Sequence, residues 1–250
     1  LQASNIAYIY DGTLEGLFTA VFMTYSRKEV PYIIAEEANL QVMFGQQVFH
    51  VKTDEALAKR VENGINKKMG SNAYMNIWTA FLSCDIDKAT KIYKYICVGM
   101  KIGRSVYTHL SHEDVMAVDK MCLYIGNESH LLKGFVRFSK MENGVYYAKI
   151  TPNNSVLPVV MPHFSDRYSD QPFIIHDAVH KLAGVYDLRE WYLVETDEIN
   201  LPENAEDEAD WKGLWRSFYN SIAIPERMNK KLRMGLMPKR YWQNMVEVMV

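Results

Sequence analysis

Glu142-Asn143-Gly144 constrains this chain more than any other stretch. An Asn-Gly pair supplies the left-handed backbone positions of a tight hairpin. β-rich runs flank it, Phe135-Val136-Arg137-Phe138 before and Val145 to Ile150 after, so an antiparallel pair is expected here. The run that leads in, Glu128 to Phe138, carries four ionisable side chains: Glu128, His130, Lys133 and Arg137. A helix is expected to run from Ser111 through Val115, Val118, Met121, Cys122 and Ile125 to Lys133, with Gly134 as the left-handed residue that ends it.

The remaining pattern reads in order. Ile6 to Tyr10 is a short buried strand, and Asp11-Gly12-Thr13 is a turn able to cap the helix 13–27. Further strands are expected at Tyr32-Ile33-Ile34 and Gln47 to Val51. Helices follow at about 54–69, 73–83 and 86–102, with Gly70-Ser71 as a break. Beyond the hairpin, Leu157, Val160, Met161, Phe164 and Tyr168 keep helical spacing, and Pro162 is expected to kink or end that helix. Phe173 to His176, Leu182 to Tyr186 and Trp191 to Val194 read as a meander. An acidic loop with eight carboxylates spans Glu195 to Asp210, and a helix is expected at about 207–222. The expectation is therefore a single α+β domain over 1–250. A helical N-terminal half packs on an antiparallel β-sheet at about 135–195, and C-terminal helices complete it.

With 250 residues, 48% of them apolar, the chain can bury a substantial core. A net charge of -2 excludes a global field for nucleic acid, so such binding must come from a local patch. Cys84, Cys97 and Cys122 show no CxxC spacing. Cys84 and Cys122 fall in apolar helical patterns, which suggests buried reduced thiols and a cytoplasmic protein. No apolar run of about eighteen residues is present, so no membrane contact is expected. The N-terminus carries no signal-peptide pattern.

Candidate chemistry is sparse. His109 and His112 are three apart and His176 and His180 four apart, but neither pair brings a third ligand, so no metal and no other cofactor is expected. Walker and Gly-x-Ser-x-Gly sequences are absent. His130, His163, His176 and Asp177 could converge as an acid–base centre. The alternative is structural, with His130 bonding the last helical carbonyls and Arg137 pairing with an acid. The run from Arg227 to Arg240 holds six cations and no acid and ends in Tyr241 and Trp242. Lys239 and Arg240 could neutralise phosphates there while the rings stack on bases, with Arg137 and Arg167 extending the surface. The competing reading makes Trp242 core and the cations a solvated face.

Tyr10-Asp11-Gly12-Thr13-Leu14-Glu15-Gly16, then His130 to Phe138, Pro162-His163-Phe164, Asp170-Gln171-Pro172-Phe173 and Met237 to Trp242 together resemble one bacterial family. Its members are labelled DNA metabolism or DNA repair proteins, and their core is a domain of unknown function. The resemblance implies DNA repair, a cytoplasmic setting and a radical-SAM partner encoded alongside. In some relatives a uracil-DNA glycosylase-like domain follows, and that domain is expected to be absent from this chain. A CxxxCxxC triplet is missing, so the chain is not itself the radical-SAM enzyme.

Three readings follow. The first is a DNA-binding accessory to the radical-SAM protein, acting on single-stranded or damaged DNA. The second is an enzyme acting on a nucleobase or phosphodiester through the histidines. The third is a protein-interaction adaptor without chemistry.

Overall fold

Ile6-Ala7-Tyr8-Ile9-Tyr10 forms β1 (Ile6–Tyr10), buried along its whole length. A continuous apolar run of this kind suits a central strand covered on both faces. The structure, a computed structural model, describes residues 5–39, 45, 47–197, 199, 202–222 and 230–247. Where the sequence pattern suggested one body, contacts gather into two compact units, Leu1–Ile125 and Gly126–Val250.

In the first unit β1 lies between β2 (Ile33–Glu36) and β3 (Gln47–His50), and both pairings are parallel. The N-terminal half is thus not only helical. It holds a parallel sheet, because α1 (Leu14–Arg27) gives the chain the crossover that a parallel neighbour requires. The Asp11 carboxylate organises the carboxyl ends of these strands. It accepts from Thr13 N at 3.0 Å and from Thr53 Oγ1 at 2.7 Å, which ties the exit of β1 to the exit of β3. Thr13 then caps α1 through Gly16 N. A Cβ on Gly16 would lie 2.2 Å from the Asp11 carboxylate, so only glycine fits. Asp54, one residue after Thr53, caps α2 (Glu55–Met69). α3 (Ser71–Phe81), α4 (Lys88–Ile102) and the start of α5 (Glu113–Phe135) complete an apolar core around Leu17, Ile65, Ile77 and Ile96.

Cys84 departs from expectation. It follows α3, outside any helix or strand, and is exposed. Cys122 is half-buried and donates to Asn76 O at 3.3 Å, and burial followed by the Asp119 charge pushes its thiol up to about 11.

In the second unit the expected strand at 135–138 does not form. α5 continues through Gly134 to Phe135, and Val136 N still bonds Leu132 O at 3.0 Å. Gly134 is therefore a helical residue, not a left-handed stop. The hairpin forms one step later, between β4 (Ser139–Lys140) and β5 (Tyr146–Ile150), with Gly144 at φ +81°. β6 (Phe173–Asp177), β7 (Leu182–Tyr186) and β8 (Trp191–Glu195) form the expected meander.

The sheet order is β4-β5-β6-β7-β8, and the β5–β6 pair is parallel. The sheet is thus mixed, not purely antiparallel. The physical reason is α6 (Leu157–Arg167), a crossover helix lying between these two strands in sequence. Pro158 sits in its first turn, and the helix runs through Pro162 to Arg167. Leu157, Val160, Met161 and Phe164 are its buried face. Met161 packs so closely on β7 that a Cβ on Gly184 would lie 2.3 Å from its sulfur.

α7 (Glu208–Ile222) forms where expected, yet its apolar positions Trp211, Leu214, Phe218 and Ile222 are exposed. α8 (Lys230–Leu236) and a 3₁₀ segment over Lys239–Asn244 follow. Arg227 lies outside the described residues. Among the described residues no helix is long and apolar enough to cross a membrane.

One buried carboxylate fastens this unit. Glu128, 4% exposed, accepts from Asn153 N at 2.9 Å, Asn154 N at 2.8 Å, Asn154 Nδ2 at 2.6 Å, Tyr241 Oη at 2.7 Å and Arg240 Nη2 at 3.2 Å. Burial works against its charge, but the donors from Asn153, Tyr241 and Asn154 prevail and hold the carboxyl below its ordinary range. A depressed carboxyl stabilises the fold above its unfolded-state value, and the contribution is lost as pH falls through the lower folded-state value. Glu128→Gln is expected to lower stability near neutral pH by about 3 kcal/mol. In urea titrations its loss relative to wild type should shrink as the pH is taken below the ordinary carboxylate range.

Candidate nucleic-acid interface

α5 and α6 each present a histidine and a cation to the same space. On α5, His130 and Lys133 are three apart; on α6, His163 and Arg167 are four apart, so each pair shares a helix face. These four side chains line a cavity of about 870 Å³. Its floor comes from the sheet, where Tyr146 of β5 and Phe173 of β6 stand side by side in the parallel register. Phe138 packs edge-on against Phe164 at 5.5 Å, Tyr168 at 5.3 Å and Phe173 at 5.5 Å. Gln171 and Trp215 complete the wall. In this edge-to-face cluster Phe164 and Phe173 are buried, and the half-buried Phe138 and Tyr168 are the rings that reach the cavity surface.

The lining contains no aspartate or glutamate. Its three permanent cations differ in how free they are. Arg137 is committed: Nη2 meets Glu247 at 2.6 Å, Nη1 donates to Gly134 O at 2.8 Å, and the guanidinium lies 5.4 Å from the Trp215 ring centre. Burial of Glu247 opposes its charge, yet Arg137 holds its carboxyl below the usual range. Lys133 and Arg167 are exposed and form no ion pair among the described residues, and the Arg167 guanidinium lies 6.0 Å from the Tyr168 ring centre. His163 is half-buried. Burial first, then the Lys133 and Arg167 charges, push its imidazole below the ordinary value, against a weaker pull from Asp166. The imidazole thus shares the cavity with two positive charges that disfavour its protonation.

His130, His163, Arg137 and Arg167 accordingly meet in one cavity. His176 and Asp177 do not join them. Successive residues of a strand face opposite sides, so with Phe173 on the cavity floor, His176 points to the other face of the sheet. There its Nδ1 lies 3.0 Å from Tyr147 Oη, while Nε2 is buried with no hydrogen-bond partner. Asp177 is fully buried and closes its own turn, accepting from Val179 N, His180 N and His180 Nδ1. A four-membered acid–base centre is not assembled. Among the described residues no three His, Cys, Asp or Glu side chains are gathered as metal ligands.

The C-terminal motif is a fastener rather than a stacking surface. Tyr241 is 2% exposed, with its hydroxyl on Glu128. Arg240 reaches the same carboxylate. Trp242 is half-buried and donates from Nε1 to Met237 O at 2.9 Å. Lys239 is exposed. Sequence reasoning passed over Lys133, Phe138, Tyr146, Tyr168, Gln171, Phe173 and Trp215 as lining. The available signal was the pairing of a histidine with a cation three or four residues on, in both helices.

Lys133→Gln and Arg167→Gln should each raise the His163 pKa toward its ordinary value, because each removes a like charge. A ¹³C- or ¹⁵N-detected histidine titration checks this, and the double variant should move it further than either single change.

No curated protein matches the chain. The family described as Domain of unknown function DUF4130 matches residues 86–247, close to two-thirds of the sequence, and the chain belongs to that family.

Proposed function

We propose that this protein binds nucleic acid in DNA metabolism, and that the cavity between α5, α6 and the β5–β6 floor holds a nucleotide of single-stranded or damaged DNA. The observation that carries the reading is the lining itself. Two cations without an ion pair, Lys133 and Arg167, stand beside a cluster of aromatic rings with no carboxylate in the lining. Phosphates bind to uncompensated cations, and bases of any sequence stack on rings. The overall charge of -2 makes this local concentration the more telling. The resemblance to DNA repair proteins encoded beside a radical-SAM protein fits the same role, that of a cytoplasmic accessory presenting DNA to its partner.

A second reading rests on His163. A neutral imidazole beside cations can accept a proton, with His130 as its counterpart across the cavity, in chemistry at a nucleobase or phosphodiester. If so, His163→Ala removes turnover while retaining DNA affinity.

The binding reading is tested by fluorescence anisotropy with single-stranded DNA. Lys133→Glu with Arg167→Glu is expected to weaken affinity at least about tenfold near 50 mM salt, and to reduce the slope of log K against log salt by about 1.4. Lys239→Glu should have the smaller effect. Absence of wild-type binding at low salt would overturn the proposal.

A further inference from the structure

We propose that the cavity recognises a phosphorylated strand end, with the terminal phosphomonoester held between the His130/Lys133 face of α5 and the His163/Arg167 face of α6. The inference rests on the nucleic-acid reading above and narrows it to one class of ligand.

The first argument is charge. An internal phosphodiester carries one negative charge, whereas a terminal phosphomonoester carries close to two near neutral pH. Two permanent cations in the lining are free to meet it, since Arg137 is already paired with Glu247 and bonded to Gly134 O. A lining with no carboxylate leaves the second negative charge unopposed.

The second argument is convergence. A row of cations along a groove suits a run of phosphates. Here the two cations stand on two different helices that line one cavity, together with His130 and His163. Charges that face one enclosed space from two walls suit a compact, doubly charged group better than an extended run of phosphates.

The third argument is the setting. The half-buried rings of Phe138, Tyr146 and Tyr168 lie in the same cavity wall as the cations. A terminal base has one face without a neighbour, and that face can stack on a ring without breaking an existing stack. Both imidazoles can donate to phosphate oxygens, which lengthens the set of donors without adding a permanent charge.

The test uses the full chain and oligothymidylates of about ten nucleotides. One carries a 5′-phosphate, one a 3′-phosphate and one neither, and all three are compared by anisotropy at low salt. At least one phosphorylated form should bind about tenfold or more tighter than the unphosphorylated strand. Inorganic phosphate should erase that preference at millimolar concentration. Lys133→Gln with Arg167→Gln should remove the preference, and Lys239→Gln should keep it. All are exposed positions, and circular dichroism confirms that each variant is folded. Equal affinity for the three strands would overturn this inference and leave the nucleic-acid reading standing. Absence of binding to all three would overturn both.

Discussion

The second unit depends on a single buried carboxylate. Glu128, on α5, has two oxygens and satisfies five donors from two other stretches of chain: the segment at 153–154 that leads into α6, and Arg240 with Tyr241. An ionised carboxylate removed from water is costly unless its lone pairs are all used, and here they are. The reward is geometric. His130 and Lys133 follow Glu128 on α5, and His163 and Arg167 are carried by the helix that Asn153 and Asn154 introduce. The carboxylate therefore sets the spacing of the two cavity walls without itself lining the cavity.

The same separation of duties runs through the site. Arg137 looks like a ligand-binding cation in the sequence, but Glu247 and two backbone carbonyls occupy its donors, and its plane supports Trp215. Its work is to shape the rim. Lys133 and Arg167 keep their charges available because nothing acidic lines the cavity. Structural charges are paired and buried, and the charges left over are those that face the open space. This division supports an anion-binding role and gives the proposed ligand its polarity.

Much of the architecture is legible in the sequence. The Asn143-Gly144 turn, the meander from 173 to 195 and α6 all follow from local turn chemistry and periodicity. Strand direction was not readable, because alternation looks the same in parallel and antiparallel pairs. Only the crossovers through α1 and α6 decide it. Phe135 to Phe138 was misread because β-branched and aromatic residues resemble a strand, while the contacts that extend α5 past Gly134 come from distant sequence. Tyr241, 113 positions from Glu128, illustrates the same limit. An aromatic beside arginines has one composition whether it stacks on a base or closes a core. The meeting of His130 with His163 and the departure of His176 are likewise tertiary facts, the latter fixed by strand parity.

The two pairings that brace the cavity, Tyr241 on Glu128 and Glu247 on Arg137, both join an early residue of the unit to one near its end. During synthesis α5, the hairpin and α6 leave the ribosome well before residues 241–247. Until residues 240–247 emerge, Glu128 has its Asn153 and Asn154 donors but lacks Arg240 and Tyr241, and Arg137 lacks Glu247. Both braces of the proposed binding cavity thus form only after residues 241–247 have been synthesised.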